Sequence, residues 1–119
     1  MSHKVLVVDD SPEICELVSF ALKNRGIEVR AVMTGKDGIE EYSRFMPDLV
    51  LLDNVLPDLA GNEVARILKE MSAGKKALII AMSGLEPSQE EIDAALYAGH
   101  LKKPFRLSEM IEYIEEYLK

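Results

Sequence analysis

Apolar runs rich in aliphatic and β-branched residues recur along the chain at Lys4–Val8, Ile27–Val32, Asp48–Leu52 and Lys76–Met82, with a shorter one at His100–Lys102. Runs of this length predict five strands. The intervening segments carry apolar residues at helical spacing: Ile14, Leu17, Val18, Ala21 and Leu22; Ile39, Tyr42 and Phe45; Val64, Ile67, Leu68 and Met71; Ile92, Ala95 and Leu96; and Leu107, Met110, Ile111, Ile114 and Leu118. Each predicts one helix with a core-facing stripe. Ser11 before Pro12 suits the cap and first turn of the first helix, and Gly26 suits its end. Thr34 with Asp37, and Ser88 with Glu91, place a capping hydroxyl three residues before an acid, so the second and fourth helices start there. Strand and helix alternate, the central strands are apolar on both faces and the connections are short. The expected fold class is therefore α/β, a doubly wound (βα)5 unit with a five-stranded parallel sheet covered on both sides.

A length of 119 residues at 48% hydrophobic composition suits one domain over residues 1–119, with no repeat or linker to divide it. The formal charge of −7 repels a phosphate backbone, so no direct nucleic-acid contact is expected. Cys15 stands alone at a helical core position, which fits a reducing cytoplasm and gives no disulfide framework. No apolar segment reaches the length needed to cross a bilayer, and no membrane association is expected. The six methionines read as core filling, and Glu109, Glu112, Glu115 and Glu116 as a solvated helix face.

In a parallel sheet, ligands gather beyond the carboxyl ends of the strands, which directs attention to the residues after each apolar run. These are Asp9 and Asp10, Asp53, Ser83, and Lys103 followed by Pro104. Three carboxylates brought together would force a proton onto one of them unless a cation binds, and an oxygen-only set suits magnesium, or manganese, better than zinc. With a cation present, one carboxylate can attack phosphorus while Lys103 neutralises phosphoryl oxygens and Ser83 donates a hydrogen bond. Taken singly, the aspartates also fit helix caps or turns, and Ser83-Gly84 fits turn chemistry. Lys102 competes with Lys103 by position, but strand alternation sends the two side chains to opposite sides.

The ordered set Val5-Leu-Val-Val-Asp-Asp10, Asp48-Leu-Val-Leu-Leu-Asp53, Pro57 and Gly61 four and eight residues past Asp53, Ser83-Gly84, and Lys103-Pro104-Phe105 resembles the response-regulator receiver family over essentially the whole chain. The resemblance implies a flavodoxin-like sheet of order 2-1-3-4-5. It also implies Asp53 as phosphoacceptor and Asp10 as direct metal ligand, with Asp9 acting through metal-bound water and Val55 through its backbone carbonyl. Ser83 and Lys103 would contact the phosphoryl group, and the Lys103–Pro104 bond would be cis. The implied partners are a histidine kinase or histidine phosphotransfer protein as donor and a downstream protein as target. Function is then two-component signalling by a phosphoacceptor domain, not classical enzyme turnover.

Two features depart from the family pattern. The segment from Tyr97 to Lys103 is shorter than in many members, which predicts a displaced or frayed fourth helix, and His100 stands where an aromatic switch residue is common. The resemblance also implies that Val55 and Leu85 flank the approach of water to the phosphoryl group, and both are apolar. The chain lacks the Asp-x-Asp of haloacid-dehalogenase-like phosphotransferases after its first strand, and its paired aspartates would repel a flavin phosphate. A receiver-like scaffold that binds without phosphorylation is the remaining competitor. The terminal position of His3 gives it no role, and His100 is read as partly satisfied and not as a ligand.

Overall fold

The computed structural model describes residues 3–71, 77–86, 88–93 and 96–119. In chain order the elements are β1 (Lys4–Val8), α1 (Pro12–Lys23), β2 (Glu28–Val32), α2 (Gly35–Phe45), β3 (Leu49–Asp53), α3 (Gly61–Met71), β4 (Leu78–Ser83), α4 (Gln89–Asp93), β5 (Gly99–Lys102) and α5 (Leu107–Tyr117). All strand pairs are parallel, in the order β2-β1-β3-β4-β5. The expected doubly wound topology is the observed one.

Why the sheet is covered twice follows from strand alternation. Val5, Val7, Leu49, Leu51, Ile80 and Met82 face one core with Val18 and Leu22 of α1 and Met110 and Ile114 of α5. Leu6, Val8, Val50 and Leu52 face a second core with Tyr42 and Phe45 of α2 and Val64 and Leu68 of α3. Continuous apolar runs are thus required, because both sides of each central strand are buried. The helix starts are set locally. Ser11 Oγ accepts the Ile14 N–H at 3.3 Å, and Thr34 Oγ1 accepts the Asp37 N–H at 3.0 Å. At α4 the capping box is reciprocal: Ser88 Oγ accepts the Glu91 N–H, and Glu91 Oε1 accepts the Ser88 N–H at 2.8 Å.

Several expectations are corrected. Strands two, three and four begin one or two residues later than their apolar runs, while strand five begins one earlier, at Gly99. Lys76 and Ala95 lie outside the described residues. Leu17, Met71, Ile92 and Leu107, which helical spacing assigns to the core-facing stripes, are exposed. In α1 the buried set is Cys15, Val18, Ala21 and Leu22, and Leu17 sits one residue off that stripe. Of the methionines, Met82 and Met110 fill the core, whereas Met33, Met46 and Met71 are exposed. Met33 follows the end of β2, Met46 caps α2 in the left-handed conformation (φ 53°) and Met71 ends α3, so each stands where the chain leaves the core.

The burial difference sets a stability contrast. Leu51→Ala, at a fully buried β3 position, is expected to lower unfolding free energy by about 3 kcal/mol. Leu17→Ala should lower it by less than about 1 kcal/mol. Urea unfolding of both variants checks the assignment, and a similar loss in the two would contradict it.

Candidate functional site

Because the sheet is parallel, its carboxyl ends form one rim, and the polar residue after each apolar run is delivered there. Asp9 follows β1, Asp53 and Ser83 are the last residues of β3 and β4, and Lys103 follows β5. Asp9 is fully buried, its Oδ1 accepting the Ser11 N–H at 2.9 Å and its Oδ2 accepting Lys103 Nζ at 2.7 Å. Lys103 Nζ also stands 3.5 Å from Asp53 Oδ1. One carboxylate oxygen from each of Asp9, Asp10 and Asp53 lies within 4.8 Å of the others. Asp10 is the exposed member of the three.

The neighbouring lysine is sorted as strand alternation requires: Lys102 is exposed and pairs with Glu86 at 3.7 Å. Ser83 is buried, and its Oγ accepts the Leu85 N–H at 3.0 Å. Val55 turns its side chain to solvent, 70% exposed, while its backbone amide favours the charged form of the Asp53 carboxylate. Leu85 is similarly exposed at 69%. The Lys103–Pro104 peptide is cis. The sequence-based site residues Asp9, Asp10, Asp53, Ser83 and Lys103 therefore stand together on one rim, with Val55 beside them on the β3–α3 loop.

Burial pushes the Asp53 carboxyl above its usual range, and the charge of Asp9 adds to that push. Lys103 and the Val55 amide oppose it without cancelling it. Burial alone would lower Lys103, but its hydrogen bond to Asp9 and the charges of Asp9 and Asp53 outweigh this and hold the ammonium above its ordinary value. Burial also raises the Cys15 thiol, with Asp9 adding to the shift, and its Sγ donates to the Asp9 carbonyl at 3.3 Å. Three carboxylates against one ammonium leave an excess of negative charge. An oxygen-only donor set with that excess fits a hard divalent cation.

The family model for the response regulator receiver domain matches residues 5–115. This chain belongs to that family. It is 34% identical over 110 residues to "Probable transcriptional regulatory protein TcrX" of Mycobacterium tuberculosis, covering 90% of this chain and 46% of that protein. To "DNA-binding response regulator MtrA" of Mycolicibacterium smegmatis it is 27% identical over 126 residues, covering 100% of this chain and 52% of that protein. The chain thus spans about half the length of the curated relatives it matches. Among solved structures, chemotaxis protein CheY4 of Vibrio cholerae superposes with a TM-score of 0.88 at 27% identity, covering 98% of this chain and 99% of the other. The chain is the receiver domain of a two-component response regulator. No helix among the described residues is long and apolar enough to cross a membrane.

Two contacts support the receiver site, one at Asp58, which carries no sequence signal of its own, and one at Gly61, which the sequence marks only by its spacing from Asp53. Asp58 accepts the Gly35 and Lys36 N–H groups at 2.8 and 2.9 Å, tying the β3–α3 loop to the start of α2; these bonds hold its carboxyl below the usual range. Gly61 donates its N–H to the Asn54 carbonyl at 2.9 Å, and a Cβ there would collide with the Asp53 carbonyl oxygen. The glycine eight residues past Asp53 is thereby explained by close backbone approach.

Asp53 binds its proton more tightly folded than unfolded, so its ionisation opposes folding. The effect is absent below the unfolded carboxylate value, about 4, and grows as pH rises through the folded one. Lys103 runs the other way, its stabilisation being complete below the ordinary lysine value, about 10.4, and lost as pH rises through the folded value. In metal-free buffer containing chelator, Asp53→Asn should be more stable than wild type at neutral pH, with the advantage disappearing below about pH 4. Chemical denaturation across that range is the measurement, and a less stable variant at neutral pH would contradict the electrostatic assignment.

Proposed function

We propose that this receiver domain takes a phosphoryl group onto Asp53 from a histidine kinase or histidine phosphotransfer protein, using magnesium or manganese, and so controls a downstream protein. The observation that carries the reading is the Lys103 ammonium placed between Asp9 and Asp53, at 2.7 and 3.5 Å, beside a third carboxylate at Asp10. Asp10 and Asp53 would hold the cation directly, with the Val55 backbone carbonyl, and Asp9 would act through bound water. When present, the cation supplies charge neutralisation to the carboxylates and to the incoming phosphoryl oxygens.

The chain's own residues do the rest. An Asp53 carboxylate oxygen attacks phosphorus, forming the P–O bond as the P–N bond of a phosphohistidine breaks, and the imidazole leaves with the bonding pair. Lys103 moves its charge from Asp53 Oδ1 to the phosphoryl oxygens, still held by Asp9. Ser83 already accepts the Leu85 N–H, and its own hydroxyl hydrogen is then donated to the new anion. That movement at the root of the β4–α4 loop changes the surface made by α4, β5 and α5. Such a domain is a signalling module working in the cytoplasm. Its net acidity favours protein targets over nucleic acid for this part of the molecule.

Incubation with magnesium and a small acyl-phosphate donor should add one phosphoryl group by intact mass. Asp53→Asn should add none, because an amide is a poor nucleophile, and excess chelator should also block the gain. Labelling that survives in Asp53→Asn would remove the assignment. The lifetime of the product offers a separate check. Val55 and Leu85 are apolar and cannot orient an attacking water, so the double variant Val55→Asn, Leu85→Gln should lose the phosphoryl group faster, by roughly tenfold. Decay followed in magnesium decides this, and an unchanged rate would rule out the apolar gate.

A further inference from the structure

Strand β5 is an edge strand, and α5 engages one of its backbone N–H groups and the carbonyl of the residue just before it. Tyr113 Oη accepts the His100 N–H at 2.9 Å, and Tyr117 Oη donates to the Ala98 carbonyl at 3.1 Å. The two hydroxyls lie 3.5 Å apart and the rings meet edge to face, with centroids separated by 5.2 Å. Tyr113 and Tyr117 are one helical turn apart, so a single face of α5 grips two backbone groups flanking Gly99. A Cβ at Gly99 would collide with both hydroxyls, so the glycine and the tyrosines form one device.

The strand held in this way carries His100 and leads directly into Lys103, and both groups answer to the rim. Lys103 lies three residues past His100, on Asp9 and Asp53. His100 shares the wall of a cavity of about 10 Å³ with Ser83, Leu85, Glu91 and Tyr97. Its Nε2 is enclosed with no hydrogen-bond partner among the described residues. A cavity of that size admits about one water molecule, so a shift of Ser83 alters the space left to the imidazole.

The geometry points to a tyrosine clasp through which α5 reads the position of β5: a change of partners at Ser83 and Lys103 reaches α5 through the His100 N–H to Tyr113 bond, with Tyr117 holding the strand at Ala98. The inference rests on the proposed phosphoacceptor function. Tyr113 and Tyr117 are positioning residues and touch no reacting atom. A backbone hydrogen bond transmits displacement better than an apolar contact because it fixes distance and direction at once. The route therefore does not need a bulky aromatic side chain at position 100.

The test compares amide exchange with and without beryllofluoride plus magnesium, a non-covalent phosphoryl mimic, in wild type and in the double variant Tyr113→Phe, Tyr117→Phe. Taking the difference between the two states removes any effect of the tyrosines on stability alone. In wild type, exchange should change both at residues 83–85 and at residues 107–117. In the double variant the change at 83–85 should persist while that at 107–117 shrinks by roughly threefold or more. An undiminished response of α5 in the double variant would overturn the clasp and leave the phosphoacceptor reading intact. No response at residues 83–85 in wild type would overturn both. Where the double variant unfolds, Tyr113→Phe alone is read against the same outcomes.

Discussion

Everything on the rim depends on the ammonium of Lys103 standing between Asp9 and Asp53. Asp9 is fully buried and Asp53 nearly so, and two carboxylates at that depth repel one another and lose hydration. The ammonium comes from a residue 94 positions from Asp9, and only a sheet that brings the end of β5 to the same rim as the ends of β1 and β3 can deliver it. The compensation is partial, since Asp53 still lies above the usual carboxylate range. A site so arranged tolerates its charge without being at rest with it.

The loops around the ion pair are fixed by backbone contacts. Gly61 lets α3 begin directly against the Asp53 and Asn54 backbone, and Asp58 pins the same loop to the N-terminus of α2. The loop that carries Val55 is therefore held at both ends, by α3 and by α2. Such anchoring keeps a polar loop in one geometry, which a site that positions small groups requires. Val55 can then offer its backbone to the site while its side chain stays in solvent.

Much of this is legible in the amino-acid sequence. A strand buried on both faces needs an unbroken apolar run, so the first polar residue after it is conspicuous, and parallel topology brings all such residues to one rim. Asp9, Asp10, Asp53, Ser83 and Lys103 are readable for that reason, as is Lys103 over Lys102. What cannot be read depends on which side chains meet across long separations. The Asp58 anchor joins residues 22 and 23 apart, and the tyrosine contacts span 13 and 19 residues without any periodic pattern. Exposure of Leu17 and of Met33, Met46 and Met71 is also hidden, because helical spacing marks a broad stripe and not its edges or the ends of elements.

The charge balance also bears on why a local event at Asp53 would be felt elsewhere. A phosphoryl group would bring about −1.5 to −2 charges to a rim that already carries more carboxylates than ammonium groups. Lys103 could not serve Asp9, Asp53 and a phosphoryl group equally, so under the proposed phosphorylation its contacts would be redistributed. Asp9 holds its nitrogen most closely and has its other oxygen committed to Ser11, which leaves the contact with Asp53 as the one to yield. Ser83, at the end of the adjacent strand, supplies a neutral donor that adds no charge of either sign. The redistribution would thus fall on β4 and β5 and not on β1, and these are the strands that lead into α4 and α5. A surface that would report the state of Asp53 is accordingly expected at the β4–β5 edge of the sheet, away from the loop that Asp58 and Gly61 hold fixed.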